Sequence, residues 1–476
     1  MMLAMSIIQT SLISFFKSYP NRPIVVAYSG GIDSQVLLHC LAQLKNNNII
    51  INDVSVCHVN HGISASSLLW QHAAERFCRL IDLPLKVFQV NVKEVTGQSL
   101  EALARDARYQ VLREYAALDA LIVTGHHLDD QSETFLLALK RGAGLKGLSG
   151  MSEVTKLLPK KEIHGKLTNQ LLVRPLLKVS RIDIEEYAKE NKLTWIEDDS
   201  NKDLRFDRNF LRHKVMPLLI ERWPSILKTI KRSSENCQQG QLLLTELAQQ
   251  DLLTCQLSLS SLSVEALEKL SSARFNNLLR YFLELNGCLM PSTKHLLQVH
   301  QQMLAKTDKV PEIKIADYSL RRYKGALFVT PNYQVISSWN HQLSTSVLHS
   351  DNQLIELPDG LGCLTLAINH YDKNHTINGE FIQEYQLRPP KSNQKISIGF
   401  SHENPKCLPD FRQRSRDLKK ILQELNIAPW QRKRIPFIFY DNTLVAAVGY
   451  FVCKEYAAKE GDLSILISLN KSTCKY

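Results

Sequence analysis

Four short apolar runs, each followed by a helix-length stretch, set the strongest limit on what this chain can fold into. The runs are residues 24–29 (IVVAYS), 54–60 (VSVCHVN), 85–92 (LKVFQVNV) and 120–125 (ALIVTG). Helical patterns follow at 33–45, 66–81, 99–117 and 128–141, and residues 171–176 (LLVRPL) read as a fifth strand. Strands joined by helices of this length pair in parallel through right-handed crossovers, so an open doubly wound sheet is expected. Ligands of such sheets bind beyond the carboxyl ends of the strands. Three polar segments sit at those ends: after Tyr28, after Val59 and after Thr124.

The first of these segments is Ser29-Gly30-Gly31-Ile32-Asp33-Ser34. Two glycines allow a sharp turn that points successive N–H groups at a ligand. The following helix adds the positive end of its dipole, so the turn suits phosphate. Ser29 and Ser34 carry hydroxyl donors. Asp33 is out of place beside an anion unless a cation such as Mg²⁺ bridges the two. No Gly-Lys-Ser/Thr follows, so this is not a Walker A loop. A plain Gly-Gly turn with Asp33 as helix cap would account for the same residues without a ligand.

The second strand runs into His58-Val59-Asn60-His61-Gly62, and the fourth into Gly125-His126-His127-Leu128-Asp129-Asp130-Gln131-Ser132-Glu133-Thr134. On a helix, Asp129 and Glu133 share one face and Asp130 and Thr134 another. One of these acids can face the cleft to share a cation with Asp33 or to hold an amine, and the residues leave open which one. Capping of the helix start is the simpler use of either aspartate. Residues 99–109 (SLEALARDARY) place Glu101, Arg105 and Arg108 on one helical face. Residues 141–151 (RGAGLKGLSGM) are glycine-rich with two cations and suit a substrate loop. Residues 197–201 (EDDSN) precede Arg208 and Arg212, which share a helix face, and Pro217.

SGGIDS after an apolar strand resembles the phosphate loop of the PP-loop ATPases. The ordered set with HVNHG, SLEALARDARY, GHHLDDQSET, RGAGLKGLSGM, RPLL and EDDSN…RNFLR resembles the tRNA(Ile)-lysidine synthetase family more narrowly. The likeness is dense over residues 1–217 and returns over 414–452. It lapses at Ile63-Ser64-Ala65 and Leu69, so residues 63–70 receive no role. The pattern changes near Pro217, after which residues 218–305 are helical in character, and from about 345 the chain reads as short strands and turns. With the resemblance, this gives an expected α/β amino-terminal domain of the adenine nucleotide alpha hydrolase type (1–217), a mainly helical, tRNA-contacting middle domain (218–345) and a small α+β carboxyl-terminal tRNA-binding domain (346–476).

It also implies the chemistry. ATP adenylates the ring carbonyl oxygen of the wobble cytidine in a precursor tRNA(Ile) with a CAU anticodon. The ε-amine of free L-lysine then displaces AMP. On this reading Ser29, Gly30, Gly31, Ile32, Asp33 and Ser34 bind ATP. Asp33 and Asp130 hold Mg²⁺ or orient the amine. Arg108 and Arg208, with Arg105, meet phosphate or tRNA. A cytoplasmic enzyme with no membrane partner is implied, and a homodimer is one assembly open to it.

Composition agrees with an RNA partner. Of 476 residues, 58 are Lys or Arg and 47 Asp or Glu, giving a formal charge of +11 that favours polyanions. Between 406 and 434 nine cations (406, 412, 414, 416, 419, 420, 432, 433, 434) face three acids (410, 417, 424), with Phe411 and Trp430 interleaved. Aromatic rings among cations suit RNA; Trp430 would serve equally as core. The opening sixteen residues read as an amphipathic helix using Ile7, Leu12 and Phe16 rather than as a leader, and no apolar run is long enough to span a bilayer. The ten cysteines form no C-x-x-C pair, which argues against an iron–sulfur sulfur inserter and a zinc ribbon. A non-catalytic nucleotide-binding regulator would need neither the paired acids of DDQSET nor the basic tail.

Overall fold

The computed structural model describes residues 5–62, 67–90, 100–157, 168–196, 203–304, 310–344, 353–370, 382–391, 393–459 and 461–470. The EDDSN segment and residues 63–66 lie outside them, as does the side chain of Glu101. The chain divides into two compact units, Met1–Leu247 and Ala248–Tyr476.

The first unit is built on a six-stranded sheet. In chain order its strands are β1 (Ile24–Ala27), β2 (Val54–Asn60), β3 (Leu85–Gln89), β4 (Leu121–Val123), β5 (Val154–Lys156) and β6 (Leu171–Val173). They lie in the order β3-β2-β1-β4-β6-β5. All pair in parallel except β5, an antiparallel edge strand on β6 that the sequence did not disclose. The chain steps outward from β1 to β3 and then returns to β4 on the other side. The switch point therefore lies between β1 and β4, where a crevice opens beyond their carboxyl ends.

The alternation of side chains along each strand splits the core into two layers. Ile24, Val26, Val54, Val56, Leu121 and Val173 face one layer with α1 (Ile7–Phe16), α2 (Ile32–Asn46), α3 (Ser67–Leu80) and α7 (Arg181–Glu190). Val25, Cys57, Ile122 and Leu172 face the other, against Leu112 and Ala116 at the end of α4 (Leu100–Tyr115). α1 begins at a capping box made by Ser6 and Gln9 and buries Ile8, Leu12 and Phe16. Such a box satisfies two orphan N–H groups, and the cap is worth about 1 kcal/mol. α5 (Leu128–Lys140) and the one-turn α6 (Leu145–Leu148) follow β4.

Beyond α7, α8 (Asp207–Phe210) runs into a π-helical segment, Leu211–Val215, and then α9 (Met216–Arg222) and the 30-residue α10 (Ile226–Cys255). Pro217 sits in the first turn of α9, where its missing N–H costs nothing. The border between the two units falls inside α10 rather than at Pro217.

In the second unit, α12 (Ser272–Leu285) and α13 (Thr293–Leu304), preceded by the short α11 (Val264–Glu268), share a core with a five-stranded antiparallel sheet. Phe275, Leu278 and Phe282 meet Leu262, Leu320 and Leu327 there. The sheet's central hairpin, Tyr318–Tyr323 with Ala326–Pro331, closes on Lys324 and Gly325, both at positive φ. Two central residues with φ above zero define the turn whose twist matches the strands. The described residues between 336 and 470 form a sandwich of a five-stranded and a four-stranded sheet, with Ile398, Ile438 and Tyr440 of one facing Leu364, Ile465 and Ile467 of the other. A helix, Leu418–Glu424, covers the outer face of the five-stranded sheet. No helix among the described residues is long and apolar enough to cross a membrane.

Candidate active site

The switch-point crevice is floored by the loop after β1. Gly30 has φ +88°, a conformation that only glycine adopts without strain, and Gly31 is the N-cap of α2. Ser34 Oγ donates to the Gly31 carbonyl at 2.9 Å and accepts the Ser29 N–H at 3.3 Å, while the two serine hydroxyls lie 3.1 Å apart. These bonds hold the turn in shape. The loop after β4 packs directly against it. A Cβ on Gly125 would stand 3.0 Å from the Asp33 carbonyl group and 3.1 Å from the Ser34 nitrogen. Residues 91 and 92 positions apart in sequence therefore form one wall, and Gly125 is glycine because backbone meets backbone there.

Asp33 projects from the first turn of α2. Arg181 Nη1 donates to its Oδ1 at 2.7 Å, and His127 Nε2 stands 3.6 Å from the same oxygen. Burial raises the Asp33 carboxyl above the usual carboxylate range, although His127 and Arg181 pull the other way. His127 is 1% exposed and surrounded by acids. Its Nδ1 lies 3.4 Å from Asp129 and its Nε2 3.5 Å from Asp130. Burial works against its charge, but Asp129, Asp130 and Asp33 together outweigh burial and raise its pKa. The same pairing holds Asp129 and Asp130 below their ordinary range against the opposing effect of burial.

Asp130 and Glu133, one turn apart on α5, bind a pair of arginines. Arg208 donates Nη2 to Asp130 Oδ1 at 3.0 Å and Nε to Glu133 at 2.7 Å. Arg212 donates Nη2 to Asp130 Oδ1 at 3.1 Å and Nε to Glu133 at 2.6 Å. The Glu133 side chain is 1% exposed while Arg208 and Arg212 are 31% and 35% exposed, so a buried acid depends on two half-buried guanidinium groups. Arg208 and Arg212 reach it together because they lie four apart where α8 passes into the π segment. A π turn inserted in a helix often marks a functional site. The sequence grouped these two arginines correctly but gave no hint that acids of α5 hold them.

The site's other expected cations lie on α4. Arg108 donates to His61 Nε2 from Nε at 3.3 Å and from Nη2 at 3.2 Å. Arg105 is exposed, with its guanidinium carbon 5.5 Å from the Tyr109 ring centroid. The glycine-rich loop after α5 is pinned by Gln131, which accepts the Met151 N–H at 2.7 Å and donates to the Met151 carbonyl at 3.0 Å.

His61 and His126 are both pushed down to about 4. Burial is the first cause for each, reinforced by Arg108 at His61 and by Arg174, Arg208 and Arg105 at His126. An unfolded histidine takes a proton below its ordinary value near 6.5, whereas these two stay neutral in the native state until about pH 4. Native stability is therefore unaffected above pH 6.5 and falls as pH drops from 6.5 towards 4. Moving from pH 7 to pH 5 should cost the first unit about 2 kcal/mol from the pair, after discounting for partial exposure. Urea denaturation at the two pH values measures it, with a His61→Gln, His126→Gln chain as control. Equal losses in the two chains would refute the assignment.

Among the described residues no group of three or more His, Cys, Asp or Glu is arranged to hold a metal. A more weakly held hard cation fits. Asp33 Oδ1 and Asp130 Oδ2 both lie near His127 Nε2, at 3.6 and 3.5 Å, and Asp130 Oδ2 accepts the His127 backbone N–H at 3.0 Å. Mg²⁺ is commonly held by one or two carboxylates, with waters and substrate phosphates filling its remaining positions. Sequence reasoning missed Arg181 and the central position of His127. The only local sign of the first was Ser180, which caps α7 in a box with Asp183 and so fixes where Arg181 starts.

A doubly wound sheet with a serine-glycine turn at its switch point defines a PP-loop protein, and the PP-loop domain model matches residues 4–219. Two further models, the TilS substrate binding domain and the TilS substrate C-terminal domain, match residues 262–328 and 396–469. The tRNA(Ile)-lysidine synthase of Photorhabdus laumondii is 37% identical over 457 residues, which cover 95% of this chain and 96% of that protein. The enzymes of the same name from Serratia proteamaculans and Coxiella burnetii are 40% and 35% identical, over 93% and 92% of this chain and 94% and 91% of their own lengths. The chain belongs to the tRNA(Ile)-lysidine synthase family.

Proposed function

We propose that this chain joins L-lysine to the wobble cytidine of precursor tRNA(Ile) with a CAU anticodon, at the cost of ATP split to AMP and pyrophosphate. The observation that carries this reading is the meeting of the Ser29–Ser34 turn with the Asp33–His127–Asp130–Glu133–arginine lattice at one switch point. The turn offers N–H groups and a helix start to a triphosphate. The lattice offers carboxylates to an amine and guanidinium groups to phosphate.

In the first step the cytosine carbonyl oxygen bonds to the α-phosphorus and the bond to the β-phosphate oxygen breaks, releasing pyrophosphate. In the second, the lysine Nε bonds to the activated ring carbon, the carbon–oxygen bond breaks and AMP leaves with its electron pair. Ser29, Gly30, Gly31, Ile32 and Ser34 grip the nucleotide. Asp33 and Asp130 are the residues that would hold Mg²⁺, which when bound supplies charge neutralisation on the polyphosphate. Asp130 stays ionised and orients the lysine ammonium, while the amine's proton passes to a carboxylate of the cluster. Arg208 keeps Asp130 and Glu133 in place and offsets charge on the leaving phosphates. Arg108, held at the mouth by His61, meets phosphate or tRNA. A cytoplasmic setting follows from the substrate.

The test is mass analysis of nucleosides from precursor tRNA(Ile) incubated with the protein, ATP and labelled lysine. Lysidine carrying the label supports the reading, and AMP formation independent of tRNA with no labelled base rejects it. We assign the chain three working modules, 1–217 for catalysis and 218–345 and 346–476 for tRNA. In the last of these Arg414, Lys419 and Lys420 are exposed. Reversing all three to glutamate should weaken tRNA binding at least tenfold and lower the slope of log K against log salt by about 3. An unchanged slope in filter binding would remove this surface from the interface.

A further inference from the structure

We infer that Arg181 is a positioning residue of the ATP site that trades partners: it neutralises Asp33 before nucleotide arrives and moves onto the polyphosphate when Mg²⁺·ATP is bound. The inference rests on the ATP-site reading above and adds a residue that neither the motif pattern nor the resemblance had assigned.

Three contacts place Arg181. Its backbone N–H donates to Asp129 Oδ2 at 2.9 Å, its Nη1 to Asp33 Oδ1 at 2.7 Å and its Nε to Glu185 at 2.9 Å. One residue thus ties the start of α7 to both acidic arms of the crevice. The tie is rigid on the backbone side. Ser180 and Asp183 cap α7 reciprocally, and the Leu128 N–H bonds the Val179 carbonyl at 2.9 Å. The side chain is less confined. The Arg181 and Asp33 side chains are 32% and 30% exposed, so solvent and ligand reach the pair.

A guanidinium on the carboxylate that a divalent cation requires is a direct competitor for that cation. Mg²⁺ and Arg181 cannot share Asp33 Oδ1 at full strength, because each is a cation seeking the same lone pairs. Once the metal takes the oxygen, the guanidinium is left a few ångströms from the triphosphate-binding turn, still anchored by Glu185. Its five donors match phosphate oxygens. The positive charge is therefore retained in the site and redirected to where negative charge accumulates as pyrophosphate leaves. The His127 ring cannot make the same exchange, since it is 1% exposed and enclosed by three acids.

The experiment uses the full-length chain without tRNA or lysine. Mg²⁺·ATP affinity is measured by calorimetry at saturating Mg²⁺, and Mn²⁺ binding without nucleotide by electron paramagnetic resonance, for the unaltered protein, Arg181→Ala and Arg181→Lys. Losing the guanidinium should weaken Mg²⁺·ATP binding about tenfold in Arg181→Ala, and Arg181→Lys should recover most of that loss. Removing the competitor should tighten Mn²⁺ binding at least threefold in Arg181→Ala. A purely structural arginine would, on loss, weaken both ligands or neither, and either pattern overturns the inference, as does Arg181→Lys behaving like Arg181→Ala. If the unaltered protein binds no ATP at all, the ATP-site reading itself fails.

Discussion

Asp33→Asn should lower lysidine formation by about a thousandfold while leaving the fold intact, which is the scale seen when a preorganised charge at a reacting phosphate is lost. The substitution keeps size and hydrogen bonding and removes only the charge. Arg181 and His127 then face a neutral amide, and any cation shared with Asp130 loses half of its carboxylates. Because Asp33 is already held partly against ionisation by burial, removing its charge relieves a desolvation cost and should not destabilise the unit. The measurement is tRNA-dependent pyrophosphate release alongside urea denaturation. Activity within tenfold of the unaltered chain would remove Asp33 from the reaction, and a collapse in stability would reassign it to the scaffold.

Glu133→Ala should have the largest effect on stability. Glu133 is 1% exposed and takes three donor groups from Arg208 and Arg212. Removing it leaves two guanidinium groups with a share of Asp130 only. Breaking such a buried ionic group typically costs about 3–5 kcal/mol. Lysine incorporation should fall with it, because α8 and the π segment then lose their hold on α5. Arg208→Ala should cost less, since Arg212 still spans both acids. A Glu133→Ala chain with an unchanged urea midpoint would mean that solvent already screens the lattice.

Local physics explains what the sequence disclosed. Strand and helix positions in the first 141 residues followed from apolar periodicity, and the structure places α2, α3, α4 and α5 within two residues of the expected bounds at each end. The phosphate turn and DDQSET were visible because each is a contiguous polar segment at a strand end. What stayed hidden was pairing across distance. Arg181 meets Asp33 across 148 positions, and Arg208 meets Glu133 across 75. Nothing in the intervening chain encodes either contact. β5 was missed because a three-residue edge strand carries too little periodicity to stand out.

Trp430 shows the same limit from the other direction. Its place among cations left a choice between a stacking platform for RNA and a packed position, with the packed one favoured, and its ring lies 5.6 Å from the Arg321 guanidinium and edge-on to Phe328 and Tyr323, at 5.4 and 6.0 Å. The Arg321 guanidinium also lies 5.1 Å from the Tyr333 ring, and that of Arg434 lies 4.1 Å from Tyr333. Phe411, by contrast, is 55% exposed.

That alternating stack of rings and guanidinium groups ties the hairpin at Lys324-Gly325 to the last hundred residues like interleaved pages. A chain shortened at 345 would strip Arg321 and Tyr333 of their outer leaves and bare Phe328 to water. Such a fragment should clump or be degraded before its affinity for tRNA could be measured, so charge changes on the intact surface are the sounder way to map where RNA lies.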